Sequence, residues 1–157
     1  MAGGEGFKFL VCVDRSPHSR PAVRFASLRA RNIGGTVALL HVLPPAEFQT
    51  LLTVAETIEE EERADAELFL QTVAAEVHAL SGRLPELHIR VGSVGDSILG
   101  LLADQPGIDA LVVGAAPPSE RRGRLISWLA GQLAGSIEIP LLIVPGNLSD
   151  EQLARHT

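Results

Sequence analysis

Two places in this chain hold residue types that grip small polar ligands. The first is Asp14, which stands where the apolar run Phe7–Val13 gives way to the polar RSPHS. A carboxylate at the end of a strand accepts hydrogen bonds, either from a ligand or from backbone N–H groups of the next turn. The second follows the apolar run Ala110–Val113: Gly114, then Arg121, Arg122 and Arg124 around Gly123, then Ser127. Glycine admits close backbone approach, guanidinium groups hold phosphate by charge-assisted bonds, and a serine supplies a hydroxyl. The competing reading of the three arginines is solvated loop charge, and it is preferred here.

No set of side chains reads as a catalytic machine. There is no Gly-x-Ser-x-Gly elbow and no His-Glu-x-x-His, and Ser16 and Ser19 have no evident base beside them. His18, His41, His78, His88 and His156 are scattered, and His41 has no second ligand at metal spacing. Lys8 is the only lysine, which excludes a Walker-type phosphate loop and, with Pro145, a receiver domain. Cys12 is the only cysteine, so no disulfide forms within one chain. Inside the first apolar run it reads as a small core residue.

The elements that must position these residues follow from hydropathy and punctuation. Phe7–Val13 is the first strand. Ser19 caps a helix with Pro21 in its first turn, running to about Asn32 and closed by Gly34-Gly35. Thr36–Leu43 is the second strand, stopped by Pro44-Pro45. A long amphipathic helix ends near Leu80, with Phe69, Val73, Val77 and Leu80 on one stripe. Its acidic residues from Glu56 to Glu67 read as a solvated face. Glu86–Val91 is the third strand. Val94–Ala103 is a helix with Ile98, Leu101 and Leu102 inward, and Ile108–Val113 is the fourth strand, broken at Gly114. A last helix from about Leu125 to Ile137, striped by Ile126, Leu129, Leu133 and Ile137, precedes the fifth strand, Leu141–Val144. Residues 146–157 read as a polar tail, frayed or lightly docked. Strands alternating with helices give an open parallel sheet with helices on both faces. In such sheets ligands sit beyond the carboxyl ends of the strands, where Asp14 and Gly114 fall.

At 157 residues the chain is expected to be one domain, 1–157, with its core at 7–145. The net charge of −6 argues against a nucleic-acid or anionic-membrane partner. No signal peptide or spanning run is evident, so the cytoplasm is the expected compartment.

Several of these pieces, in this order, resemble the universal stress protein family. VCVDRSPHS resembles its Val-x-Val-Asp-x-Ser-x-x-Ser opening, and Leu39–Val42 its second strand. Val91–Ile98 is similar to its entry to the third helix, and Asp109–Gly114 and IPLLIVP to its fourth and fifth strands. The resemblance spans Phe7–Val144. It implies a Rossmann-like sheet of the adenine nucleotide alpha hydrolase type, in the order 3-2-1-4-5, with Asp14 and Gly114 flanking one crevice. It also implies a homodimer paired through Leu141–Val144. ATP-binding members carry Gly, two residues, Gly, nine residues, Gly and Ser or Thr after strand four. Here those places hold Gly114, Pro117, Ser127 and Trp128. Proline has no N–H to offer a phosphate, and an indole fills its space. The resemblance is therefore to the branch without ATP. The expected protein is a non-enzymatic stress-response module with an unidentified protein partner, no cofactor and a degenerate nucleotide crevice. The alternative is an ATP or AMP switch, with or without slow hydrolysis, in which Asp14 meets the ribose or adenine edge, Val42 the adenine, and Arg121, Arg122, Arg124 and Ser127 the phosphates.

Overall fold

Five short runs become five parallel strands, the central three buried between helices on both faces. The computed structural model describes residues 6–45, 52–116 and 131–157, with only the backbone of 52–59. The strands are β1 (Lys8–Cys12), β2 (Thr36–Leu43), β3 (Glu86–Val91), β4 (Ala110–Ala115) and β5 (Leu141–Pro145). They pair in the order β3-β2-β1-β4-β5, as expected. Register is continuous through the centre: Val11 lies between Leu39 of β2 and Val112 of β4.

Successive side chains on each strand face opposite layers. Phe9, Val11, Val37, Leu39, Ala110 and Val112 pack under helices α1 (Arg20–Ile33) and α2 (Leu52–Ser81). Leu10, Ala38, Leu40, Leu111 and Val113 pack on the other face, under Ile98 and Leu101 of α3 (Val94–Asp104) and under Leu133. Burial on both faces is why the central strands read as unbroken apolar runs rather than alternating ones.

Helix ends are set by local chemistry. Gly34 closes α1 at φ 72°, a left-handed position that suits glycine. The Ser93 side chain accepts from the Asp96 N–H to cap α3. The start of α1 departs from expectation. Pro17–Ser19 forms a 3₁₀ turn ahead of it, capped by Ser16, whose hydroxyl oxygen accepts from the His18 N–H at 3.1 Å. Ser19 already has helical angles and makes no side-chain cap. Its hydroxyl donates instead to the carbonyls of Asp14 (3.0 Å) and Ser16 (3.2 Å).

Three other expectations shift. The buried stripe of α2 is Ala66, Leu70, Ala74 and Val77, with Phe69, Val73 and Leu80 half-buried at its margin. Small alanines let that helix lie close to the sheet. Glu60, Glu61, Glu62, Asp65 and Glu67 are exposed, as a solvated face requires; the side chains of Glu56 and Glu59 lie outside the described residues. The fourth strand starts later and runs through Gly114, because Asp109 binds the neighbouring strand with its carboxylate, accepting from the Lys8 N–H at 2.9 Å. Of the expected last helix, residues 131–134 are helical, and residues 117–130 lie outside the described ones.

The polar tail is the clearest correction. Residues 150–156 form a helix, α4 (Asp150–His156), opened by a reciprocal capping box between Ser149 and Gln152. Leu153 is 1% exposed in the α1–α2 core, and Arg24 of α1 meets Asp150 at 3.1 Å. A single leucine among charged residues gives too weak a period to be read as a buried helix face. Leu153→Ala is expected to destabilise the fold by about 2–4 kcal/mol in urea unfolding, as large-to-small core changes do. Leu68→Ala on the exposed face of α2, at 63% exposure, is expected to change it by under about 0.5 kcal/mol.

Candidate functional site

The strand order reverses direction between β1 and β4, and open α/β sheets place their ligands beyond the carboxyl ends of such a pair. Two of the residues singled out in the sequence meet there. Asp14 follows β1, and Gly114 is the fifth residue of β4, beside Val144 of β5.

Asp14 holds the turn that forms one wall. Its Oδ1 accepts from the Ser16 N–H at 2.8 Å, and its carbonyl accepts from Ser19. The structural reading of this carboxylate, bonding the backbone of the following turn, is the one the geometry displays. The neighbouring residues are fastened from the α2 side. His41 is buried and its Nδ1 donates to the Val13 carbonyl at 2.8 Å, which fixes a proton on that nitrogen. The His41 ring stands 5.0 Å from Phe69, and the Arg15 guanidinium lies 5.0 Å from the same Phe69 ring. The stack ties the start of the turn to α2.

Gly114 has a packing reason of its own. A Cβ there would overlap the His18 carbonyl oxygen and come within 3.1 Å of the Ser19 Cα. The 3₁₀ turn therefore rests directly on the β4 backbone. Gly146, just beyond β5, meets the same turn: a Cβ would sit 2.6 Å from the His18 Cβ and 2.7 Å from the Ala115 carbonyl. The Gly146 N–H donates to that carbonyl at 2.7 Å. His18 and Gly146 were assigned no role from sequence. The signal was a glycine directly after a strand end, which marks close backbone approach.

Val42 is half-buried on β2, packed with the α3-face core and paired in register with Arg90. Its side chain is a strand residue at the margin of that core. Arg121, Arg122, Arg124 and Ser127, with Pro117 and Trp128, lie outside the described residues. Cys12 underlies the crevice floor. Burial first, then the Asp14 carboxylate, push its thiol up to about 12. At neutral pH it is a protonated, inert thiol rather than a nucleophile. Among the described residues no group of three or more His, Cys, Asp or Glu could hold a metal ion. No helix among the described residues is long and apolar enough to cross a membrane.

A parallel sheet in this order, with an Asp-led turn at its switch point, is a doubly wound, Rossmann-like α/β class of protein. Within it, the Universal stress protein family model matches residues 7–145, and the chain belongs to that family. Solved structures of the same fold include the universal stress protein UspA from Lactobacillus plantarum. It is 22% identical with a TM-score of 0.72, over 88% of this chain and 97% of that one. A universal stress protein in complex with cAMP is 21% identical with a TM-score of 0.67, over 90% and 98%. One from Archaeoglobus fulgidus in complex with dAMP is 21% identical with a TM-score of 0.62, over 88% and 97%. No curated protein matches the chain.

Gly114→Ala is expected to lower stability by about 2–3 kcal/mol in denaturant titration, because its obstacle is backbone that cannot rotate away. Cys12 is expected to react with iodoacetamide at pH 8 roughly a thousandfold more slowly than in the unfolded chain, read by mass spectrometry over time. The direction follows from the raised thiol: the reactive thiolate is scarce until pH nears 12 in the fold but appears near 9 once unfolded.

Proposed function

We propose that the chain is a non-catalytic, cytoplasmic stress-response module that works as a homodimer through protein contacts, its switch-point crevice no longer built for ATP. The observation that carries this reading is the packing at Gly114. The one glycine kept from the phosphate-loop pattern is required by the His18 carbonyl resting on it, so its presence needs no ligand. The remaining places of that pattern hold Pro117, Ser127 and Trp128, which remove an N–H and add bulk where phosphate oxygens would need donors and room. Asp14 has one carboxylate oxygen committed to its own turn.

The homodimer rests on β5. It is an edge strand with apolar Leu141 and Leu142 half-buried and Ile143 50% exposed, and a long apolar edge invites pairing. Self-pairing through Leu141–Val144 covers it with an identical surface.

A second reading has its own support. Structures sharing this fold hold cAMP and dAMP, ligands that need far less of a triphosphate cradle. Under that reading Asp14 contacts the ribose or adenine edge beside Val42, and the loop arginines with Ser127 take the single phosphate.

The purified protein, denatured and analysed by ion-exchange chromatography, is expected to release no nucleotide and to give no calorimetric heat at millimolar ATP. Release of AMP, or binding lost on Asp14→Ala, replaces the first reading with the second. Sedimentation at micromolar concentration is expected to show a dimer that Ile143→Lys dissociates at least tenfold more readily, through the charge it buries at the edge. A clean wild-type monomer rejects the dimer.

A further inference from the structure

The opposite edge of the sheet is also open, and its residues are arranged to meet their own copies. β3 is the other edge strand, and among the described residues nothing pairs with its outer side. The Gly92 N–H donates to the Leu43 carbonyl at 2.9 Å, toward β2. Backbone groups alternate along a strand, so those of Glu86, His88 and Arg90 also face β2. Those of Leu87, Ile89 and Val91 point to the free edge. Their side chains are apolar, and Leu87 and Val91 are 42% and 56% exposed. β3 itself contains no proline or lysine, and Pro85 directly before it has no N–H to offer, which confines the paired stretch to Glu86–Arg90.

We propose that a second copy of this chain pairs antiparallel along β3, with the twofold axis passing through His88. That register places Leu87 opposite the partner's Ile89, exchanging two backbone hydrogen bonds, and the symmetry repeats the pair. It also places Glu86 opposite the partner's Arg90, and Arg90 opposite the partner's Glu86. Opposite charges directly across an antiparallel pair are stabilising. The neighbouring register, centred on Ile89, would set His88 against Arg90 and lose both charge matches.

The charges are already held in place for this role. Lys8 meets Glu86 at 2.5 Å, and Arg90 meets Asp104 of α3 at 2.8 Å. Arg90 also lies against Gly100, where a Cβ would be 3.6 Å from Nη1. Both side chains are thereby kept on the α3 face and cannot fold across the edge. Guanidinium has five donors, enough for Asp104 and a second carboxylate. His88 is half-buried on the same face. Burial chiefly lowers its pKa, with Arg90 and Lys8 adding and Glu86 opposing, so two neutral imidazoles meet at the axis near neutral pH. The surface is self-complementary in backbone, apolar contact and charge at once, as a twofold interface requires. It is independent of β5 and is the weaker contact, joining β5 dimers only above the micromolar concentration at which that dimer is read.

The test is a cross-link. At the axis, a non-hydrogen-bonded pair brings Cα atoms to about 4.5 Å, within disulfide reach. His88→Cys with Cys12→Ser is expected to form a covalent dimer under mild oxidation, at least about tenfold faster than Arg90→Cys with Cys12→Ser, whose sulfur faces Glu86 instead. Equal rates, or no covalent dimer from a chain with native circular dichroism, overturns the proposal and leaves β3 to a foreign strand or to none. As a second arm, Glu86→Arg with Lys8→Glu is expected to weaken association about tenfold in an Ile143→Lys background, and adding Arg90→Glu with Asp104→Arg, which keeps both pairs within the chain, to restore it. Failure of the swap to restore it also overturns the register. The cross-link reads β3 alone, so its failure is distinct from failure of the β5 dimer.

Discussion

The crevice end of this molecule depends on one contact: the carbonyl of His18 laid on the backbone of Gly114. A helix that follows a parallel strand must start close to the sheet for its buried face to reach the core. Here the connection from β1 to α1 runs through a 3₁₀ turn lying across β4 and touching Gly146 beyond β5. Any side chain at either glycine would lift the turn and, with it, the first residues of α1, including the buried Ala22 and Val23. Asp14, Ser16 and Ser19 bind the turn to itself, while His41, Phe69 and Arg15 bind its start to α2. The crevice wall is thus an extension of the core rather than a loop set on top of it.

The helix layer over α1 shows which forces do the joining. Glu76 of α2 meets Arg20 at 3.2 Å and Arg24 at 3.6 Å, and Arg24 also meets Asp150 of α4 at 3.1 Å. These pairs link three helices, but Arg20 and Asp150 are largely exposed to water. Exposed ion pairs contribute on the order of 0–1 kcal/mol each. Burying Leu153 removes a whole side chain from water and contributes about 2 kcal/mol before cavity effects. The ion pairs set the direction in which α4 lies; the leucine holds it there.

Much of this architecture was legible in the sequence because the physics is periodic. Thr36–Leu43 and Glu86–Val91 are strands at the bounds read from composition and punctuation alone. The sheet order was legible too, although only through resemblance: hydropathy gives alternation, and several strand orders satisfy it. What escaped were features set by neighbours distant in sequence. Gly114 read as a strand breaker because glycine usually is one, yet it lies within β4, its missing side chain answering to His18. Ser19 read as a cap because its type and the following proline fit, but Ser16 three residues earlier took the role once the turn tightened. α4 escaped because its burial rests on one residue. Asp14 and Gly114 were read at the ends of neighbouring strands, and β1 does pair with β4, while His18, whose carbonyl rests on Gly114, carries no local signal at all.

These distinctions bear on how a degenerate site should be judged. A motif glycine is informative about a ligand only where the fold would tolerate a side chain in the ligand's absence. At position 114 it would not, since the obstacle is main chain. That position stays glycine whether or not a phosphate ever binds, and it says nothing about nucleotide. The informative places are those where only the ligand demands glycine, and in this chain they hold Pro117 and Ser127, with Trp128 where a hydroxyl residue would stand. On the reading proposed above, a scaffold that keeps its packing glycine and changes the rest has preserved the crevice as structure. The surfaces that a five-stranded sheet covered by helices on both faces leaves open are its two edges, and the proposed reading places function there.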